Sequence, residues 1–488
     1  MKRFRHTRAS ILFVVACSPL VSLFACGPST SVTPADAEAP VPDAGPDSET
    51  VVDSGHLSET SVGDAQIDGG EASDSGGVSE APVSDAQIDG ATDSGGRRDA
   101  EGDSAADSGD ASSLDSSASA ISVGSYSACA LLSGGSVTCW GANDWGELGS
   151  GTSSSSSTPV TVSGLSHATA VSAGALSACA LLTGGSVDCW GDNENGELGN
   201  GTTGLSSTPV TVTGLSDATA MSAGDEFACA LLSGGSVDCW GDNENGELGN
   251  GTSGVATDSS TPVIVTGISD ATAISAGYDF ACALLSSGSV ACWGDNEFGE
   301  LGNGTTTGPG TCLSGAPCAT TPVAVSGITN ATAISAGYDF ACALLSGGSV
   351  ACWGDNGAGE LGNGTTSSSS TPVTVTGLSH ATAISAGYRF ACALLSGGSV
   401  VCWGLNAEGE LGNGTSMNFS STPVTVSGVS DATAISAGYD FACALLSGGS
   451  VACWGDNGDG ELGNGTTSGP ESCNGNPCST TPVEVIGF

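Results

Sequence analysis

Basic residues are nearly missing from this sequence. Of 488 residues, seven are Lys or Arg and 52 are Asp or Glu, a formal charge of -45. Lys2, Arg3, Arg5 and Arg8 crowd the N-terminus and Arg97 and Arg98 follow. From residue 121 onward Arg389 stands alone against 31 acidic residues. A duplex binder needs a cationic footprint to neutralise phosphates, so nucleic acid is excluded as a partner. Anionic membrane surfaces are disfavoured by the same deficit. Histidine is also scarce, with only His167 and His380 beyond residue 120. That leaves no Ser/His/Asp order and no metal-spaced His cluster. No stretch carries an apolar stripe at helical period, so helix content is expected near nil.

Long apolar runs are confined to the start, "MKRFRHTRASILFVVACSPLVSLFAC". A basic head followed by a run too short and too early for a membrane span reads as a signal peptide. "LFAC" resembles the lipobox of bacterial lipoproteins, with Leu23 and Ala25 in place and Phe24 departing from the usual small residue. The resemblance implies removal of residues 1–25, lipid on Cys26, and an exported lipoprotein of the cell envelope. Gly27, where an Asp would resemble an inner-membrane retention signal, leans toward the outer membrane, with the protein facing the periplasm or the surface. Membrane attachment would then be through the lipid anchor alone; simple secretion is the alternative. Residues 26–117 are Ala, Ser, Gly and Asp with almost no aromatics. They cannot bury enough apolar area to offset chain ordering, and they read as a disordered acidic tether.

Past residue 117 the chain repeats. "CWG" recurs at Trp140, Trp190, Trp240, Trp293, Trp353, Trp403 and Trp454, at spacings of 50, 50, 53, 60, 50 and 51 residues. Such a period signals a solenoid or a propeller. Each unit holds four short strand patterns, as in "ATAISAG", "FACALLS", "SVACWG" and "TPVTVTG", linked by Gly, Ser and Asn clusters. The expected fold is all-β: a seven-bladed β-propeller over 118–488, four antiparallel strands per blade, preceded by the disordered acidic stalk. The array begins at a first-strand segment and ends at a fourth, so each blade can be complete. A strand exchanged between the termini is the alternative closure.

Cysteines support the hairpins independently. One pair with nine intervening residues recurs in each unit: Cys129 with Cys139, Cys179 with Cys189, Cys229 with Cys239, Cys282 with Cys292, Cys342 with Cys352, Cys392 with Cys402, and Cys443 with Cys453. A three-residue loop Ser133-Gly134-Gly135 puts Leu132 opposite Ser136 and therefore Cys129 opposite Cys139, at a non-hydrogen-bonded position suited to a disulfide. All seven pairs are thus expected to be structural disulfides. Each such staple stabilises by about 3 kcal/mol in the chain-entropy picture, which offsets a core poor in large side chains. Two further pairs, Cys312 with Cys318 and Cys473 with Cys478, pin small additions between the third and fourth strands of two units. Both are expected to project from one face or rim.

The strand "ISAG", the turn "ALLSGGSV" and the stretch "CWGDNENGELGNGT" resemble the regulator of chromosome condensation repeat. The resemblance covers roughly 119–488 and implies a seven-bladed propeller. Many repeats of that family carry a His shortly after the "AG"; the matching positions here are Ser127, Ser177, Phe227, Phe280, Phe340, Phe390 and Phe441. With the acidic surface and the export signal, this leaves the family's nucleotide-exchange and chromatin-docking roles without support. Function does not follow from fold here.

Residues just after "ISAG" vary: Tyr126, Asp225-Glu226, Tyr278-Asp279, Tyr338-Asp339, Tyr388-Arg389 and Tyr439-Asp440. They fall in the loop between the first two strands and should form a ring on one face. Tyr and Arg are common interface anchors. The ring is therefore the expected binding site of a non-enzymatic binding or scaffold module at the bacterial envelope. Its ligand would be a protein or a polysaccharide, and the protein itself a monomer. An adhesive or structural surface role is a second reading. A hydrolase or lyase built on Asp225 and Glu226 is a third, weakened because adjacent strand residues point to opposite faces. No cofactor is expected. The acidic turns look like calcium loops, yet the position that would need a closing Glu holds Thr203, and other copies drop the charges. Asn, Gly and Leu recur instead, together with Glu147, Glu197, Glu247, Glu300, Glu360, Glu410 and Glu461, the pattern of a structural turn.

Overall fold

The computed structural model describes residues 117–312, 315–416 and 418–488. The expected leader, Cys26 and the acidic tether lie outside the described residues.

Four consecutive strands make each blade. In blade 1, β1 (Ala118–Val123), β2 (Ser127–Leu132), β3 (Val137–Gly141) and β4 (Ser156–Thr161) pair antiparallel in chain order. Blades 2 to 7 span 168–211, 218–264, 271–324, 331–374, 381–425 and 432–484, each closed within itself. No strand is exchanged between the ends of the described array. Second strands such as "FACALL" are buried along nearly their whole length, because a neighbouring blade covers each sheet face. The Pro-bearing fourth strand sits at the outer edge, where a missing N–H costs no ladder bond.

Two contacts repeat around the ring and close it. The Trp190 indole N–H of blade 2 donates to the Glu147 carbonyl of blade 1 at 2.7 Å. The last junction uses the same bond, Trp140 donating to the Glu461 carbonyl at 2.8 Å. Nearer the axis, the Ser122 hydroxyl accepts the Ala173 N–H at 2.9 Å, and Ser436 accepts that of Val123 in the closing pair. The recurrent Ser of "ISAG" is thus a belt between first strands. Its Gly is needed for close approach: a Cβ on Gly124 would lie 2.1 Å from the Gly174 carbonyl oxygen of the next blade.

Each core cluster sits between blades. Phe280, Leu284, Val290 and the half-cystines Cys282 and Cys292 of blade 4 pack against Trp353 of blade 5. All seven Trp residues of the "CWG" motif are fully buried. The Phe residues at the family's His position are buried in these same clusters.

The seven repeated cysteine pairs are all bonded across the second and third strands, each at a Cα separation of 4.0 Å. Cys129 is bonded to Cys139, Cys179 to Cys189, Cys229 to Cys239 and Cys282 to Cys292 in blades 1 to 4. Cys342 is bonded to Cys352, Cys392 to Cys402 and Cys443 to Cys453 in blades 5 to 7. The register is the expected one, with Cys189, Cys352, Cys402 and Cys453 each directly opposite its partner on the second strand. In blade 1, Leu132 donates to the Ser136 carbonyl and Gly135 takes φ 81°, which completes the three-residue turn. The two additional pairs, Cys312–Cys318 and Cys473–Cys478, are also bonded, each at a Cα separation of 5.8 Å. Their loops do more than project from a rim. Each adds a short fifth strand, Gly310–Thr311 or Glu471–Cys473, to the outer edge of its blade.

Candidate functional site

An antiparallel four-strand meander places its first–second and third–fourth connections at one end and its second–third turn at the other. The variable residues after "ISAG", the acidic turns and both disulfide-closed additions therefore share one face. The opposite face carries the near-uniform Ser-Gly-Gly turns and the links between blades. On the variable face, Asn474 Nδ2 donates to the Ala407 carbonyl at 3.2 Å and Asn476 Nδ2 to Glu408 Oε1 at 3.3 Å, tying the blade 7 addition to the blade 6 turn.

The expected ring of Tyr-Asp pairs divides into two concentric sets. The first residue of each pair faces the axis, and in chain order these are Ser125, Ala175, Asp225, Tyr278, Tyr338, Tyr388 and Tyr439. Their cavity is about 100 Å³ in volume and is floored by the Ala and Gly of the first strands. Four successive tyrosines form an arc around it. Ring centroids lie 3.9 Å apart for Tyr278–Tyr338, 4.5 Å for Tyr338–Tyr388 and 3.8 Å for Tyr388–Tyr439, the last pair stacked at 14°. Tyr126, one position further along its loop, extends the arc by tilting against Tyr439 at 5.6 Å. The Tyr388 N–H donates to the Gly438 carbonyl of the next blade at 2.9 Å, so the belt that closes the ring also positions the aromatic rings. Blades 1 to 3 contribute small residues and one acid, which leaves that side open. The Tyr278 hydroxyl hydrogen-bonds the Asp225 carboxyl, and burial, then Glu226, push that carboxyl up to about 8. Burial also raises Tyr278, Tyr338 and Tyr439.

In blades 3 to 7 the second residue of the pair turns outward to the seam between blades. There it meets the Glu of the preceding blade's acidic turn. That Glu is structural: Glu197 Oε2 accepts the Asn195 N–H at 3.0 Å, while Asn193 Oδ1 accepts the Leu198 N–H and its Nδ2 donates to the Thr202 carbonyl. The same three bonds recur in the other turns, including Asn243/Leu248 and Asn296/Leu301. These glutamates are essentially buried. Glu226, Asp279, Asp339 and Asp440 stand beside Glu197, Glu247, Glu300 and Glu410 respectively. Burial foremost, and these like charges with it, push Glu197 and Glu410 up to about 8 and raise Glu247 and Glu300 well above the carboxylate range. The Oε1 atoms of all four find no hydrogen-bond donor.

One seam is different. Arg389 Nε donates to Glu360 Oε1 at 2.9 Å and its Nη2 reaches Asp355 at 3.2 Å. Position 357 is Gly in this turn, and a Cβ there would meet Arg389 Nη2 at 2.7 Å. The lone cation of the propeller is thus consumed inside the ring.

Asp225 is aimed at the axial cavity with Tyr278, whereas Glu226 accepts from Asn195 in the seam, so the adjacent carboxylates are directed apart and attack no common point. Among the described residues, no group of three or more His, Cys, Asp or Glu stands where it could hold a metal ion. Sequence reasoning missed the division into two sets and the burial of the turn glutamates. The signal was available: the alternation applied to Asp225-Glu226 holds for the pairs of blades 3 to 7.

Residues 203–486 match the RCC1-like domain, and residues 134–181, 118–146 and 168–197 match the Regulator of chromosome condensation (RCC1) repeat. No curated protein matches. Among solved structures, the chain is similar to yeast RCC1 (Prp20) bound to Kap60, at 20% identity and a TM-score of 0.60, covering 71% of this chain and 83% of that one. Prp20p from Saccharomyces cerevisiae, described with its binding to Gsp1p and histones, has 20% identity and a TM-score of 0.58 over 71% and 85%. Human WBSCR16 has 20% identity and a TM-score of 0.59 over 68% and 88%. At this identity the likeness is one of fold.

These findings correct the expectation of an exported bacterial lipoprotein. The proteins resembled are yeast and human propellers, and the family matches lie wholly within the repeats. The leader reading rested on a short basic-apolar segment and a four-residue lipobox that already departed at Phe24, too little sequence to specify a compartment. The signal peptide, lipidation at Cys26, lipid-anchored membrane contact, and outer-membrane, periplasmic or surface location are withdrawn. The envelope setting assigned to function and partners goes with them.

Proposed function

The chain belongs to the RCC1-like domain family, and from that premise we propose that it is a protein-binding propeller that docks its partner on the tyrosine-bearing face. The observation that carries this reading is the aromatic arc. The seven blades are near copies, yet Tyr126, Tyr278, Tyr338, Tyr388 and Tyr439 concentrate in adjoining blades around one axial opening. A structural cap repeated for its own sake would place the same residue in every blade. Tyrosine offers a large contact area at small entropic cost and is enriched at binding hot spots. Trp145 and Phe419, on the same side of the ring, are partly exposed and widen the apolar surface available to a partner.

The test compares proteins co-purified with the full chain and with a variant in which Tyr278, Tyr338, Tyr388 and Tyr439 are all replaced by Ala. Asp217→Ala and Asp431→Ala, on the opposite face, serve as controls. The tyrosine variant should lose its partner while the controls keep it. An identical set of bound proteins in all samples would refute the assignment of this face.

A further inference from the structure

Resting on the reading of this face as a protein-docking surface, we infer that the axial cavity seats one cationic side chain, a lysine or arginine, of the partner. Size is the first argument. At about 100 Å³ the cavity falls well below the roughly 300–1,000 Å³ of small-molecule pockets and matches a single side-chain head. Its walls are the second. Tyrosine rings bound one side, and a cation near an aromatic face is attracted by the ring quadrupole, more strongly when desolvated. Asp225 is the acid of the cavity lining, set beside the first tyrosine of the arc. Ser125 and Ala175 leave an entrance on the side that the tyrosines do not occupy.

Charge supplies the third argument. From residue 121 onward there are 31 acidic residues and one basic residue, so the propeller has no spare cation of its own for Asp225. Arg389, next in the chain to Tyr388, already shows how a guanidinium is held on this face, between Glu360 and Asp355. A partner side chain entering the axis would repeat that arrangement with Asp225.

The groups around Asp225 give the proposal a distinctive readout. Glu226, Asp192 and Asp279 surround it, and Tyr278 and Tyr126 face it. Burial, then the Glu226 and Asp192 carboxyls, hold the Asp225 carboxyl up to about 8 against the lowering effect of the Tyr278 hydrogen bond, so it is largely protonated at pH 7. An entering cation favours the carboxylate, so binding at neutral pH must release a proton. Affinity must also rise as pH rises toward about 8.

The probe is N-acetylarginine methylamide, titrated calorimetrically into the full chain in two buffers of different ionisation enthalpy. N-acetylcitrulline methylamide is its neutral isostere. Expected are one saturable site for the arginine compound, at least tenfold weaker binding of the citrulline compound, and proton release at pH 7. Asp225→Asn, which keeps an acceptor for Tyr278, should weaken arginine binding at least tenfold and abolish the proton release. Ser125→Leu should block the entrance with Asp225 intact, while Asp217→Asn on the far face should change nothing. Equal binding of both compounds, undiminished binding by Asp225→Asn, or no saturable binding of the arginine compound would overturn the inference. Partner loss in the tyrosine variant with full retention by Asp225→Asn would sink the cationic anchor alone; retention by both would sink the docking reading too.

Discussion

Replacing Glu197 by Gln should make the propeller more stable at alkaline pH, although it removes a fully buried native carboxyl group. Glu197 is 1% exposed in the seam between blades 2 and 3. Its Oε2 accepts the Asn195 N–H, its Oε1 has no donor, and Asp192 and Glu226 lie nearby. Burial foremost pushes its carboxyl from 4.5 up to about 8. A folded pKa above the unfolded one means that the folded chain binds the proton more tightly. The associated stability is complete below the unfolded value and is lost as pH rises through the folded one. Each pH unit inside that interval costs about 1.4 kcal/mol, so the loss between about pH 6 and pH 9 is ~3 kcal/mol for this group. Gln preserves the acceptor for Asn195 and has no proton to lose. Urea unfolding, followed by fluorescence of the buried Trp residues with disulfides intact, measures both proteins across that range. Relative to the native chain, Glu197→Gln should gain ~3 kcal/mol from the acid to the alkaline end. Parallel stability profiles for the two proteins would refute the reasoning, because they would show that Glu197 titrates alike in the folded and unfolded chain.

Other perturbations probe the remaining seams and the scaffold. Glu360→Gln should act in the opposite direction, destabilising by about 1–3 kcal/mol at neutral pH, since it strips the half-exposed Arg389 of its main carboxylate; urea midpoints at low and high salt measure it. Trp353→Ala should cost about 3–5 kcal/mol by opening the blade 4–blade 5 core and removing the donor to the Glu300 carbonyl, which thermal unfolding would register. Paired Cys229→Ala and Cys239→Ala should lower stability by about 3 kcal/mol. The same change at Cys473 and Cys478 should leave the core intact and instead increase proteolysis of the blade 7 addition.

Much of the scaffold can be read from the chain because each blade is built by local pairing. The ten-residue step from Cys129 to Cys139, with Gly135 between, is enough to define a hairpin, its register and its disulfide. Repetition then multiplies one local solution by seven, through to Cys443 and Cys453 in the last blade. The acidic turn is equally local: Asn193, Leu198 and Thr202 satisfy one another within a dozen residues. The bonds that hold blades together are less legible. Trp190 finds the Glu147 carbonyl 43 residues away, and Ser122 finds Ala173 51 residues away. Nothing in a single unit reveals that "ISAG" is a belt, because its partner is the same motif in the next unit.

By itself, the sequence determines the strands, their register, the disulfides, the number of blades and the scarcity of cations, since each depends on short-range spacing or composition. Only the tertiary structure decides what adjacent residues such as Tyr388 and Arg389 do. Seven loops converge on one axis, so the first residue of each pair is forced inward among its counterparts, where Tyr278 to Tyr439 become an arc. In blades 3 to 7 the second is forced outward against the previous blade's buried glutamate, where its charge makes the seam either an ion pair, as at Glu360, or a group of carboxyls that hold their protons, as at Glu197. That outcome depends on residues from two blades meeting in a medium that solvates charge poorly, and no one-dimensional pattern contains it.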